Sequence, residues 1–256
     1  MNTSSLDDAF ERWRGALLDA LQNPDAVMSW QDRRYRFAYQ VGQLLVGSTG
    51  PSNPPVTGPA LYGVYVTGGG LLYIGQTGDA RRRLRDLPVG ESHHLATTVP
   101  PETWERIVVV QWPILIASVP SAEVQAAERL GLQVCGLAME HLLQVMYRPV
   151  MTTRRRGAAG GWSARNLDAS HSLGAISSTE FPHLFTAVHN AWEDLAGMPT
   201  AAGDHGASYT EVGRVVFPAT LLGPRTSHSP APQRALADED VRVAGRPGMG
   251  TRHSGR

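Results

Sequence analysis

Large apolar residues recur at helical spacing over residues 5–21, where Phe10, Trp13, Leu17, Leu18 and Leu21 share a side. Ser5 is a candidate cap for this helix and Asn23-Pro24 closes it. A second helical stretch, 29–46, carries Trp30, Tyr35, Phe37, Val41, Leu44 and Leu45. Residues 47–59 are rich in glycine and proline, support neither a helix nor a central strand, and read as a linker. The period then shortens. Residues 61–67 and 71–76 are β-rich runs joined by Gly68, Gly69 and Gly70, the pattern of a hairpin. A short helix over 79–87 ends at Pro88, and 102–112 holds a third strand with the apolar run Ile107 to Val110. Helical periodicity returns over 121–147, with a break expected near Gly131 and Gly136, and again over 181–196, where Phe181, Leu184, Val188, Trp192 and Leu195 align. Residues 154–161 read as a basic, glycine-rich loop. From about residue 200 small and turn-forming residues dominate, which predicts disorder.

The expected fold class is therefore α/β of the α+β kind: a small three-stranded antiparallel sheet flanked by helices. It divides into an N-terminal helical extension and linker (1–58), a core domain (59–168), a helical segment packing on it (169–199) and a disordered tail (200–256).

Composition narrows the function classes. The 256 residues carry a formal net charge of zero, so any nucleic-acid contact must come from local clusters. The single cysteine, Cys135, excludes a disulfide framework and a cysteine-rich zinc site. The acidic N-terminus has no secretory signal, and the most apolar run, 107–120, is interrupted and too short to span a bilayer. A cytoplasmic protein with no membrane partner is expected. Gly68 to Gly70 lack the lysine and hydroxyl residue of a P-loop, and no dinucleotide fingerprint or other organic-cofactor motif is present.

Two chemical features stand out. A three-residue hairpin loop would set Tyr65 opposite Tyr73 and Gly63 opposite Gly75, so that both tyrosines share a face above a glycine depression. A two-residue loop would shift that register. In the following helix Arg83 lies on the stripe of Ala80, Leu84 and Leu87, whereas Arg81, Arg82 and Arg85 lie off it. An arginine on the core side calls for an anionic partner, and a phosphate would serve. The other three suit either a solvated face or a DNA backbone.

Gly63-Val64-Tyr65, Tyr73-Ile74-Gly75, Arg83 followed by Leu84, and Glu140 with Pro149 nine residues on together resemble the GIY-YIG nuclease superfamily, over about ninety residues. The resemblance implies an endonuclease that hydrolyses DNA phosphodiester bonds. Glu140, a hard-oxygen ligand, would hold one Mg²⁺ or Mn²⁺. Arg83 would bind a non-bridging phosphate oxygen. Tyr65 would be the general base, with Tyr73 orienting the water or sharing that role, and a phenol needs cationic surroundings to act so at neutral pH. Gly63 and Gly75 are the structural glycines of the motif.

The chain also departs from the pattern. An asparagine expected three residues past the proline is Thr152 here, so either Thr152 or the later Asn166 supports the site. A histidine expected four residues after the arginine is Leu87; His93 and His94 are either alternative proton acceptors or plain loop residues. Arg154, Arg155 and Arg156 suit a DNA contact and a solvated loop equally. The flanking helices would form a DNA-clasping or homodimerising layer. The competing readings are a non-catalytic DNA-binding module that keeps the fold and an unrelated structural domain.

Overall fold

The computed structural model describes residues 3–48, 50, 53–68, 70–90, 94–152, 154–156, 162–200 and 206–222, with backbone alone at 3–6, 9, 154–156 and 162–163. The elements run α1 (Thr3–Leu21), α2 (Pro24–Val46), β1 (Ala60–Val66), β2 (Gly70–Thr77), α3 (Ala80–Asp86), α4 (Leu95–Thr98), β3 (Trp104–Val110), α5 (Ser121–Leu130) and α6 (Leu132–Tyr147). There follow β4 (Arg154–Arg156), β5 (Trp162–Ala164), α7 (Leu173–Ser177), α8 (Pro182–Ala196), β6 (Ala207–Thr210) and β7 (Gly213–Val216).

The main sheet has five strands, in the order β2-β1-β3-β7-β6, and every pairing in it is antiparallel. Strand alternation sends its side chains into two separate layers. Tyr62, Val64, Ile107, Val109 and Val216 pack with Phe37, Val41 and Leu45 of α2 and Leu84 of α3. Leu61, Ile74, Val108, Val110 and Val215 pack with Met139 and Leu143 of α6 and Val188 and Trp192 of α8. Because helices cover both faces, the four residues Ile107 to Val110 of the central strand are all fully buried. That explains an uninterrupted apolar run where a half-exposed strand would alternate. Gly131, at φ 83°, separates α5 from α6, as the glycine in that helical stretch suggests.

Two expectations are corrected. The sheet has five strands, not three, because the hairpin β6–β7 pairs onto β3 and supplies Val215, Val216 and Phe217 to the core. That hairpin lies in the stretch expected to be disordered, where a short alternating segment was diluted by the composition around it. Residues 223–256 lie outside the described residues. The N-terminal helical extension is tied to the sheet by one side chain. Arg214 of β7, 2 % exposed, donates to the carbonyl oxygens of Leu44 (3.0 Å) and Gly47 (2.7 Å) at the end of α2, and to Pro54 (2.7 Å) in the supposed linker. These are carbonyls that a helix end and a proline-rich segment leave without partners of their own. Second, residues 154–156 form a strand paired with β5, where a loop was expected.

Helix boundaries also move. α1 starts at Thr3, so Ser5 lies inside it. α2 starts at Pro24, capped by the Asn23 side chain, which accepts from the Asp25 and Ala26 amides (3.1 and 3.2 Å). Asn23-Pro24 therefore ends one helix and begins the next, as a cap followed by proline at the first helical position allows. Among the described residues, no helix is long and apolar enough to cross a membrane.

Candidate functional site

The register of the β1–β2 hairpin decides which tyrosine joins the site. Tyr62 pairs with Gly75 and Val64 with Tyr73, and the register shifts between Val64 and Tyr65. The expected pairing of Tyr65 with Tyr73 and of Gly63 with Gly75 is thus corrected by one residue before the bulge. The two glycines explain why. A Cβ at Gly75 would fall 2.7 Å from the Tyr62 hydroxyl oxygen and 2.7 Å from Tyr73 Cε1, so glycine leaves room for both rings. A Cβ at Gly63 would fall 2.4 Å from Trp192 Cη2, on the opposite face. Each glycine is required by close approach, but to different partners on different sides of the sheet.

On the α2–α3 side, Tyr62 is fully buried, its ring centroid is 5.9 Å from that of Tyr73, and their hydroxyls interact. Arg83 donates through Nε to the Tyr62 hydroxyl at 3.3 Å. Asp79 caps α3 by accepting from the Arg82 amide (3.1 Å), and the resulting phase leaves Arg83 half-buried while Arg81, Arg82 and Arg85 are exposed. Glu140 reaches the same group from α6. Its Oε1 accepts from Gln144 Nε2 at 3.0 Å, and Gln144, buried, also donates to the Ile74 carbonyl of β2 at 3.3 Å. After α6 the chain returns along β2: the Val150 and Met151 amides donate to Leu71 and Leu72 (3.4 and 2.9 Å). The segment after Pro149 thereby ties the end of α6 to β2.

Burial pushes the Glu140 carboxyl up to about 7, against Arg165, Arg83 and the Gln144 hydrogen bond, which pull it down. Burial likewise raises both phenols. For Tyr62 the Arg83 guanidinium opposes that rise; for Tyr73 the neighbouring Tyr62 and Glu140 add to it. The lowered phenol that a tyrosine base requires is therefore not what these protein groups produce.

Tyr65 belongs to the other face. Its hydroxyl accepts from Trp192 Nε1 at 2.9 Å, and it packs with the α6–α8 layer. Tyr62, Tyr73, Arg83 and Glu140 thus lie together on one side of the sheet, and Tyr65 lies on the other. Thr152 is buried with its hydroxyl on the Pro149 carbonyl (3.2 Å), and Asn166 accepts from the Ala169 amide (3.1 Å), so each is engaged within its own turn. His94 opens α4, its carbonyl accepting from the Thr97 and Thr98 hydroxyls. His93 and the side chains of Arg154, Arg155 and Arg156 lie outside the described residues.

Besides Tyr62, two site residues escaped the sequence reading. Gln144 sits four residues after Glu140, a spacing that puts the pair on one helix face and was available as a signal. Arg165 lies beyond the β4–β5 ribbon and donates to the Thr152 carbonyl at 3.5 Å; nothing local in the sequence connects it to Glu140.

The donor set can be tested against a metal. No group of three or more His, Cys, Asp or Glu side chains gathers among the described residues. One carboxylate beside phenol hydroxyls fits a hard ion such as Mg²⁺ or Mn²⁺, which completes its shell with water and substrate phosphate oxygens. Glu140, half-buried and held by Gln144, would be its protein ligand. No protein-family model, curated protein or solved structure matches this chain.

Proposed function

We propose that this protein is a metal-dependent endonuclease of GIY-YIG type that hydrolyses DNA phosphodiester bonds. The observation that carries the proposal is the convergence of Tyr62, Tyr73, Arg83 and Glu140 from β1, β2, α3 and α6. An arginine and a carboxylate beside two phenols suit a phosphate that must be both held and attacked. A divalent ion bound at Glu140 would screen the phosphate charge and polarise the phosphorus–oxygen bond.

The side chains would divide the remaining work. Arg83 would hold a non-bridging oxygen and stabilise the charge gathering there in the transition state. The exposed Arg81, Arg82 and Arg85 of the same helix would follow the DNA backbone. Tyr73, kept protonated, would orient the attacking water as a hydrogen-bond partner. Tyr62, whose oxygen accepts from the guanidinium, would hold Arg83 in position beside the phosphate. Gln144 would keep the Glu140 carboxylate aimed at the site.

Plasmid nicking with Mg²⁺ or Mn²⁺, run with and without chelator beside a DNA gel shift, tests the proposal. Chelator-sensitive nicking supports it. A gel shift with no nicking would instead support a non-catalytic DNA-binding module, and neither signal would leave a structural domain.

A further inference from the structure

The two N-terminal helices display apolar surface that the core does not use. Only the C-terminal half of α2 is buried, through Phe37, Val41 and Leu45. The principal neighbour of α1 is α2. Phe10, Trp13 and Leu21 on α1 are 56, 59 and 55 % exposed, and Phe10 and Trp13 touch, ring centroids 5.5 Å apart. Met28, Trp30, Tyr35 and Tyr39 of α2 are exposed as well. Among the described side chains, all five exposed aromatics lie on these two helices. Single exposed apolar residues are ordinary, but a concentration of this kind marks a contact surface.

The spacing on α1 suits another helix as the occupant. Phe10, Trp13 and Leu17 follow the alternating three- and four-residue steps of a helix–helix seam, with Leu21 one turn further on. Charge argues against nucleic acid on α1, which carries Asp7, Asp8, Glu11 and Asp19 against only Arg12 and Arg14. It argues for self-pairing instead. Asp7 and Arg14 are seven residues apart, so they flank the seam on the same side, about two turns from one another. Arg14 already pairs with Glu11 of its own helix at 2.9 Å. Across a two-fold axis each Asp7 would add a second carboxylate to the other copy's Arg14, and the contact would be made twice.

We propose that α1 and the adjoining exposed half of α2 dock on a second copy of the same chain. The two α1 helices run antiparallel about a two-fold axis between Phe10 and Trp13. Trp30 stacks on Arg34 and lies half a turn of α2 away from Tyr39, off this face. The other four roughly half-exposed aromatic side chains, at about 150–250 Å² apiece when whole, supply on the order of 400 Å². Met28, Leu21 and the flanking charges bring this toward the roughly 800 Å² per partner of a standard interface. The proposal is independent of the chemistry at Glu140.

Sedimentation equilibrium of the full chain over the micromolar range tests it, with circular dichroism to verify that each variant is folded. The wild type is expected to dimerise. Trp13→Glu should be monomeric, because it buries a charge in the seam. Asp7→Arg, which turns two attractions into two repulsions, should weaken the dimer about tenfold. The exchange Asp7→Arg with Arg14→Asp should restore it. A monomeric wild type would overturn the proposal, as would a dimer indifferent to Trp13→Glu and Asp7→Arg. An exchange that fails to restore association would overturn the antiparallel pairing.

Discussion

The Tyr62 ring fills the space that a side chain at position 75 would need: its hydroxyl oxygen would stand 2.7 Å from a Cβ there. This relationship sets the site, because the same hydroxyl receives the Arg83 Nε. Gly75→Ala must push Tyr62 or Tyr73 aside in a packed layer. It is expected to cost about 1–3 kcal/mol in urea unfolding, as overpacking does. It should also lower plasmid cleavage in protein that remains folded.

Tyr62 and Tyr65 separate the site from the scaffold. Tyr62→Phe removes the oxygen that Arg83 binds and is expected to reduce cleavage by about 10²-fold or more. Tyr65→Phe leaves the site intact and loses the Trp192 hydrogen bond, costing roughly 1 kcal/mol of stability. Its cleavage rate should stay within a few-fold of wild type. Equal losses of activity in the two variants would contradict the assignment.

Much of this was legible in the sequence, and the failures have physical causes. Helical phase identified Arg83 among four arginines, because Ala80, Leu84 and Leu87 define a face. The hairpin register was not legible, since both Tyr62 and Tyr65 flank Gly63 and only the bulge after Val64 decides between them. Trp192, more than a hundred residues on, packs against Gly63 and claims Tyr65, a long-range contact without a local signal. The β6–β7 hairpin was missed because its four-residue strands are short and their neighbours are turn-forming.

Glu140 ties stability to pH. Its carboxyl titrates near 7 in the fold against an ordinary 4.5. Between those values the folded protein holds a proton that the unfolded chain has released. Stability from this group is therefore full below 4.5, falls as pH rises to 7, and is lost above it, a total of roughly 3 kcal/mol. Glu140→Gln, which cannot ionise, is expected to be about 1–3 kcal/mol more stable than wild type at pH 8 and equal to it near pH 4.5. Urea unfolding at the two pH values reads this directly.

A cation on Glu140 should offset that cost. Millimolar Mg²⁺ or Mn²⁺ is expected to raise the wild-type Tm at pH 8 in a concentration-dependent way, as any ligand of the folded state does. Glu140→Gln should show no such rise. A shift of equal size in both proteins would place the metal elsewhere.

Arg214 holds the end of α2 and the following segment to the sheet through three carbonyl oxygens. Arg214→Ala strands all three and is expected to cost roughly 3 kcal/mol or more. Arg214→Lys should recover little, since a single ammonium lacks the planar fork that reaches them.

The most direct measurement is the rate of Mg²⁺-dependent plasmid cleavage by purified Glu140→Gln at pH 8. This variant is expected to be the more stable protein at that pH, so unfolding cannot account for a loss. The account predicts that chelator-sensitive cleavage by the wild type disappears in Glu140→Gln. Cleavage retained at the wild-type rate would contradict it.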